Sequence, residues 1–146
     1  MNNNDSGAGS LRQAIADIGS GGEITFDADY TITLASKLSI SSDMTITGTG
    51  AGNTIIQSHT SAFSATYEVF DIGGGTVNLS EMTIRHGRRT SGYGGGVIVD
   101  GASGLVTISD CAIVDNEGDG AGGGIYNLHS ALKNSVYYGF AITMPL

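Results

Sequence analysis

Short apolar segments recur along most of this chain and alternate with clusters of Gly, Asn, Asp and Ser. Each segment is enriched in Ile, Val, Thr and Phe, and apolar and polar positions alternate within most of them. This pattern is typical of β-strands. The predicted strands are residues 24–26, 30–34, 38–40, 44–46, 54–57 and 69–72. Strands as short as these suit the faces of a coil better than long hairpins.

The second half of the chain contains one segment twice. Residues 77–87 align with residues 106–116, and the offset from Val77 to Val106 is 29 (106 − 77). Behind each copy comes a glycine triplet and a short apolar strand, at residues 94–98 and 122–126. Self-similarity at such a period indicates a solenoid or propeller. We therefore predict an all-β fold, a right-handed parallel β-helix (solenoid) of about four rungs, where a rung is one circuit of the chain.

One segment near the N-terminus has helical periodicity instead. Its apolar stripe consists of Leu11, Ala14, Ile15 and Ile18. Ser10 is a suitable N-cap, and Gln13 completes the pattern of a capping box. Glycines within residues 19–22 end the pattern. The sequence therefore predicts an N-terminal capping helix over residues 10–18, which covers the open end of the apolar core.

The rungs are predicted to occupy residues 23–127 of a single domain, 1–146. Stacking is expected to give two inward ladders, Ile46 with Ile84 and Ile113, and Met44 with Met82 and Cys111. The first interval is 38 (84 − 46), so residues 58–67 are interpreted as an insertion at one corner. After Asn127 the pattern fails, and residues 128–146 form an atypical tail. We expect a fragment of a longer protein that can associate end to end as a homo-oligomer through exposed rung edges.

The charge of the chain restricts its partners. The formal net charge is −8, and no basic stripe offsets it, which argues against nucleic acid. No apolar run approaches the roughly 18 residues of a membrane span. The first residues have neither a basic start nor an apolar region, so no signal peptide is present in this sequence. Cations and neutral ligands, such as a carbohydrate or another small molecule, suit this surface better.

Residues 9–15, Gly-Ser-Leu-Arg-Gln-Ala-Ile, resemble the C-S-L-R-E-A-I motif that opens many bacterial secreted β-helix proteins. Gly9 replaces the cysteine of the motif and Gln13 its glutamate. The glycine repeats, together with residues 113–116, are similar to the repeats of polymorphic outer-membrane proteins and other autotransporter passengers. The resemblance implies a pectin-lyase-like architecture, secretion or display on a bacterial cell surface, and often adhesion. It implies no particular catalytic mechanism.

Three features of the predicted outer surface carry candidate chemistry. The first is a carboxylate ladder, because Asp43, Glu81 and Asp110 each precede a Met-Thr-Ile or Cys-Ala-Ile segment. Stacked carboxylates about 4.8 Å apart could recruit a cation or act as the pair of a retaining glycosidase. Acidic residues at corners are also common as solvated turn formers.

The second feature is a calcium-like loop. Asp115, Glu117 and Asp119 match ligand positions 1, 3 and 5 of an EF-hand loop, with a glycine at position 6, but Tyr126 stands where the bidentate glutamate belongs. An EF-hand is therefore excluded, and the alternatives are a looser Ca²⁺ site at a corner or an ordinary Asp/Asn/Gly turn.

The third feature is a basic cluster at residues 85–89. The repeat offset places His86 beside Asp115, with Arg85 next to them. Such groups could perform acid/base chemistry on a sugar acid, ester or lactone, or they could form a solvated basic corner. Two functions follow: a surface or secreted module of adhesin type, or a small calcium-assisted hydrolase or lyase that uses Glu81, Asp110, His86 and Arg85 on a saccharide, ester or lactone.

Overall fold

The structure is a computed structural model that describes residues 1–101, 104–120 and 122–128. These residues form one short helix, α1 (Leu11–Asp17), and fourteen strands. The strands are β1 (Gly22–Thr25), β2 (Tyr30–Thr33), β3 (Leu38–Ile40), β4 (Met44–Thr47), β5 (Thr54–Gln57), β6 (Phe70–Ile72), β7 (Val77–Ser80), β8 (Thr83–Arg85), β9 (Arg88–Arg89), β10 (Val97–Val99), β11 (Val106–Ser109), β12 (Ala112–Val114), β13 (Glu117–Gly118) and β14 (Ile125–Asn127).

The strands stack into three parallel sheets, each of which takes one strand from every rung. Sheet A contains β1, β4, β7 and β11; sheet B contains β2, β5, β8 and β12; sheet C contains β3, β6, β10 and β14. The short strands β9 and β13 pair separately between sheets B and C. Four stacked rungs mean that the chain makes about three turns from the first strand of a sheet to the last. The prediction of an all-β parallel solenoid is confirmed.

Alternation of side chains along each strand builds the core. In sheet A the inward column is Ile24, Ile46, Leu79 and Ile108, and in sheet B it is Ile32, Ile56, Ile84 and Ile113. All eight side chains are buried. Burial of an aliphatic side chain of this size contributes roughly 1.5–3 kcal/mol, so these columns are a main source of stability.

The register between the second and third rungs differs from the prediction. Met44 lies beside Val77 and Ile46 beside Leu79, an offset of 33 (79 − 46), whereas the predicted ladders joined Met44 to Met82 and Ile46 to Ile84. The two Met-Thr-Ile segments belong to different sheets, because the first forms β4 in sheet A and the second runs into β8 in sheet B. The predicted offset of 29 between the third and fourth rungs is confirmed, since Val77 lies beside Val106.

The predicted corner insertion, residues 58–67, lies between β5 and β6. It does not lengthen the second rung as predicted, because the 12 residues between these strands (58–69) correspond to 11 residues between β8 and β10 (86–96). Its last residue fastens it to the rungs, because the Tyr67 hydroxyl lies 2.8 Å from the Leu34 carbonyl oxygen and 3.0 Å from that of Ser58. Cys111 is buried in the core, as predicted. Burial raises the pKa of its thiol from 9.0 to about 11, so the thiol stays protonated at neutral pH.

Helix α1 covers the first rung as expected. The Ser10 hydroxyl accepts a hydrogen bond from the Gln13 N–H at 3.1 Å, which confirms the N-cap. The predicted capping box is not completed, because the Gln13 side chain donates to Asp17 at 2.7 Å instead of returning to Ser10. Leu11 is fully buried, while Ile15 packs against the same core from a partly buried position. Of the predicted tail, 128–146, only Leu128 lies within the described residues.

Candidate functional site

Two corners at the ends of sheet B hold most of the candidate residues. Glu81 and Asp110 lie between sheets A and B, and His86 and Asp115 follow β8 and β12 at the other end. All four have a positive φ, of 56°, 52°, 59° and 53° respectively. The repeat in sequence is therefore also a repeat in backbone conformation, since each corner uses the same left-handed residue in both rungs.

The carboxylate ladder contains two residues, not the predicted three. Ser80 pairs with Ser109, so Glu81 and Asp110 lie one above the other at about the strand spacing of 4.8 Å, and both are exposed. Asp43 is wrongly placed in the predicted ladder: it precedes β4 at a different corner and accepts a hydrogen bond from the Thr76 N–H at 2.8 Å. Gly48 takes the corresponding corner position, and its N–H donates to the Ser80 carbonyl at 2.9 Å.

His86 and Asp115 are neighbours in register, since Arg85 pairs with Val114. Their side chains nevertheless do not pair: among residues 1–101, 104–120 and 122–128, no hydrogen bond or ion pair joins them. The buried His86 ring instead places Nδ1 2.8 Å from the His59 carbonyl oxygen in the corner insertion. This contact assigns the donor proton to Nδ1 when the ring is neutral, and it holds the insertion against the third rung.

Arginine side chains near this corner have local partners. The Arg85 Nε donates to the Gln57 side-chain oxygen at 2.8 Å. Arg88 lies beside Glu117 in the pairing of β9 with β13, and the Arg88 Nε is 2.7 Å from a Glu117 carboxylate oxygen. Glu117, one of the three predicted calcium ligands, is therefore engaged in an ion pair.

The predicted calcium loop presents its three carboxylates separately. Asp115 has a left-handed backbone, Glu117 binds Arg88 and Asp119 is exposed. Within the part of the chain that the structure describes, no three His, Cys, Asp or Glu side chains are grouped closely enough to hold a metal ion. The Ca²⁺ site stays a prediction that metal titration can test.

The structure also reveals a partly buried ion-pair cluster that sequence reasoning missed. The Lys37 Nζ lies 2.5 Å from Asp71 and 3.3 Å from Glu68, and the Glu68 side chain is only 5% exposed. The hydrogen bond with Asp71 raises the pKa of Lys37 above 10.5. Lys37 is more than 30 positions from either carboxylate (68 − 37 = 31; 71 − 37 = 34), so only the rung register brings it to them. The one local signal is a glutamate next to the apolar strand at residues 69–72.

An aromatic pair was also missed. Tyr93 and Tyr126 stack with ring centroids 4.6 Å apart and an interplanar angle of 16°. Tyr126 lies on the outer face of β14, and Tyr93 comes from the glycine-rich segment before β10. Tyr93 remains 45% exposed, so one side of the pair faces solvent.

A groove of about 350 Å³ lies between α1 and the start of the β-helix. Its apolar lining comes from Ile15, Ile18, Leu38 and Met44, and serines complete it. Arg12 is the only ionisable side chain among the described residues that line it. The lining of the groove, as far as the described residues form it, therefore includes no residue of either candidate corner and no carboxylate or imidazole.

Comparison of the sequence with protein-family models, curated proteins and solved structures finds no match. Among the described residues, no helix is both long enough and apolar enough to cross a membrane. The geometry of the chain itself must therefore carry any functional conclusion.

Proposed function

We propose that this chain is a non-catalytic binding module of a secreted or surface-displayed bacterial β-helix protein, of the adhesin or autotransporter-passenger type. The observation that carries the proposal is the separation of the ionisable groups. Glu81 and Asp110 occupy one corner and His86 and Asp115 the other. Met82 and the three residues of β8 lie between Glu81 and His86, roughly 13 Å of extended chain. Acid/base catalysis requires such groups to converge on one reacting atom.

The outer face of sheet A supports a neutral ligand. The outward side chains of β4, β7 and β11 are Thr45, Thr47, Asn78, Ser80, Thr107 and Ser109. Neighbouring rungs are already linked at 3.3 Å by the Asn78 amide to Thr45 and by the Ser80 hydroxyl to Thr47. Of the described residues, Glu23 on β1, beside Thr45, is the one charged side chain on this face. The other outward groups are hydroxyl and amide groups on a rigid sheet, which suit the hydroxyl groups of a carbohydrate.

The capping helix α1 supports the proposal of secretion or surface display. The residues that resemble the cap motif, 9–15, supply both the N-cap and the buried Leu11. Antibody labelling of intact producing cells, compared with labelling after lysis, tests this part of the proposal. Labelling that appears only after lysis would contradict it.

Binding of the fluorescently labelled chain to an array of neutral and acidic glycans tests the ligand class. We expect neutral glycans to bind, and the double variant Thr45→Glu/Thr107→Glu to lose that binding because it places two carboxylates on the face. Thr31→Glu, on the outer side of sheet B, is the matched control and should bind normally. Absence of glycan binding, or binding that survives the double variant, would overturn this assignment.

A calcium-assisted hydrolase or lyase is the second candidate. It is favoured by Glu81 and Asp110, whose spacing of about 4.8 Å is close to the 5–5.5 Å of retaining glycosidases. A screen on glycosides, pectins, esters and lactones with Ca²⁺ or EDTA distinguishes the two functions. Turnover that Glu81→Gln abolishes would support the enzyme and contradict the non-catalytic module. Absence of turnover on all of these substrate classes would exclude the hydrolase or lyase.

Calorimetric titration tests the predicted metal site separately. If Asp115 and Asp119 bind Ca²⁺ with Glu117, the variant Asp115→Ala/Asp119→Ala should lose the binding heat. Unchanged Ca²⁺ binding in that variant, or none in the parent chain, would exclude these ligands.

A further inference from the structure

Strand β3 has one unpaired edge, because sheet C ends at β3 in the described part of the chain. The Leu38 N–H donates to the Val69 carbonyl at 2.9 Å, and the Ile40 carbonyl accepts from the Gly73 N–H at 2.9 Å. In a parallel ladder, alternate residues direct their backbone groups to opposite sides. The N–H and C=O of Ser39 therefore face away from β6, toward the free edge.

The groove beside α1 runs along this free edge. Ser39 lies in its wall and is exposed, while Leu38 and Met44 contribute buried apolar surface. Ile15 and Ile18 form the opposite side, from the helix. Unpaired backbone donors and acceptors next to an apolar cavity are the two components that bind an added strand: the backbone supplies hydrogen bonds and the cavity receives a side chain.

Arg12 occupies the start of the same edge. Its Nη atoms donate to the Ser36 carbonyl at 2.6 Å and the Lys37 carbonyl at 2.8 Å, and Nη2 also binds Asp5 at 2.7 Å. The carbonyls that precede Ser39 are thus already satisfied within the chain. The free backbone groups of this edge, the N–H and C=O of Ser39, therefore follow the two carbonyls that Arg12 binds and lie at the mouth of the groove.

We propose that this groove binds an extended peptide segment of basic character, which adds a strand beside β3 and inserts one apolar side chain between Ile15 and Leu38. The net charge of −8 favours a basic partner and opposes a second copy of this chain. The peptide site is independent of the glycan proposal, since it lies at the helix end and not on the outer face of sheet A.

Nuclear magnetic resonance titration of the isotope-labelled full chain tests the site. The probe is a short peptide of alternating Val and Thr flanked by lysines. We expect shifts confined to the Ser39 amide and to the methyl groups of Ile15, Ile18 and Leu38. An analogue N-methylated at alternate amides should bind about tenfold more weakly or not at all, because it cannot complete the backbone pairing.

Variants at the edge provide the matched comparison. Ser39→Pro removes the free N–H and should weaken binding by about tenfold. Thr31→Pro is the control, because it is the same change at an edge outside the groove. The Leu34 N–H donates to the Gln57 carbonyl, so residues that alternate with Leu34, Thr31 among them, direct their backbone groups to the free edge of sheet B. If Ser39→Pro unfolds, Ala16→Trp fills the groove from the exposed helix surface and should block the same shifts.

Three results would overturn the proposal: no shifts in the parent chain, equal binding of the N-methylated analogue, or equal binding by the folded Ser39→Pro or Ala16→Trp variant. Sedimentation of the chain at increasing concentration measures its oligomeric state and so tests whether a second copy of the chain occupies the groove. A dimer that Ser39→Pro abolishes would assign the groove to a second copy of the chain and would contradict the peptide.

Discussion

Side chains on a left-handed backbone define the corners of this solenoid. Such a conformation usually favours glycine, and a residue with a Cβ pays about 1–2 kcal/mol to adopt it. Asp, Asn and His tolerate it better than Glu because their short polar groups can bond locally. Glu81 is thus the least favourable of the four residues at the corners of sheet B.

Replacement of Glu81 by Gly tests this local strain. We expect Glu81→Gly to raise the free energy of unfolding by about 0.5–1 kcal/mol, because the strain exceeds the added entropy of the unfolded glycine. Glu23→Gly, the same change in the extended strand β1, should instead lower it by about 0.5–1 kcal/mol. Urea denaturation of both variants measures the difference, and equal losses would contradict the strain.

Asn116 is the most strongly engaged polar side chain at these corners. Its Oδ1 accepts from the Gly87 N–H at 2.8 Å, its Nδ2 donates to the Ile84 carbonyl at 3.0 Å, and it is 3% exposed. Asn116→Ala would leave the buried Gly87 N–H without a partner and would remove a second hydrogen bond to the Ile84 carbonyl. We expect a loss of about 2–4 kcal/mol in urea denaturation.

Asn78→Ala is the control for Asn116. Asn78 makes one contact of 3.3 Å from a partly exposed position, so its removal should cost no more than about 0.5 kcal/mol. Losses of similar size in the two variants would show that Asn116 does not hold the corner.

At the scale of strands and corners, the parts of this fold that depend on local signals could be predicted from the sequence, and the assignment of strands to sheets could not. The short strands, the cap helix and the offset of 29 were predictable, because hydrophobic alternation and direct repetition are local signals. The offset of 33 was not, because the loop after β4 occupies residues 48–53 while only Glu81 and Met82 separate β7 from β8. Alternation marks a strand as half-buried but does not say which sheet it joins.

The same limit applies to the candidate site. Glu81 beside Asp110 and His86 beside Asp115 were predictable as register neighbours from the repeat. The contact of His86 with His59, and the cluster of Lys37 with Glu68, depend on the corner insertion and on offsets that no repeat records. The sequence also could not predict the direction in which a side chain leaves a left-handed corner, such as those of His86 and Asp115.

The Lys37 cluster joins the corner between β2 and β3 to strand β6, and it gives a pH prediction. Lys37→Met leaves the buried Glu68 carboxylate without its cation; because Lys37 is 41% exposed, solvent screening limits the expected loss to about 1–2 kcal/mol at neutral pH. Lys37→Met/Glu68→Gln should recover part of it, since the more buried carboxylate is then neutral and only the more exposed Asp71 loses its cation.

The pKa of Lys37 is raised above its unfolded value of 10.5. Its contribution is therefore complete below about pH 10.5 and is lost as the pH rises through the raised folded value. Urea denaturation from neutral to alkaline pH should show a constant difference between parent and Lys37→Met that shrinks only above that point. A difference that disappears between pH 7 and pH 9 would contradict the ion pair.

The whole molecule is a stack in which each rung contacts its neighbours. Sequence offsets of 22 (44 − 22) to 33 (77 − 44) residues join the paired strands, so stability is shared along the stack and folding requires non-local pairing. Three of the basic side chains form ion pairs with carboxylates of the same chain: Arg12, Lys37 and Arg88. The remaining negative charge faces outward. End-to-end association of copies stays a prediction.

The register between the second and third rungs determines which residues share a corner of the solenoid. Nuclear Overhauser contacts between backbone protons of isotope-labelled chain measure it directly. The structure predicts contacts between Thr45 and Asn78, which join β4 to β7. Contacts between Thr45 and Thr83 would contradict it, since they would restore an offset of 38 and place Asp43 beneath Glu81 in a single carboxylate ladder.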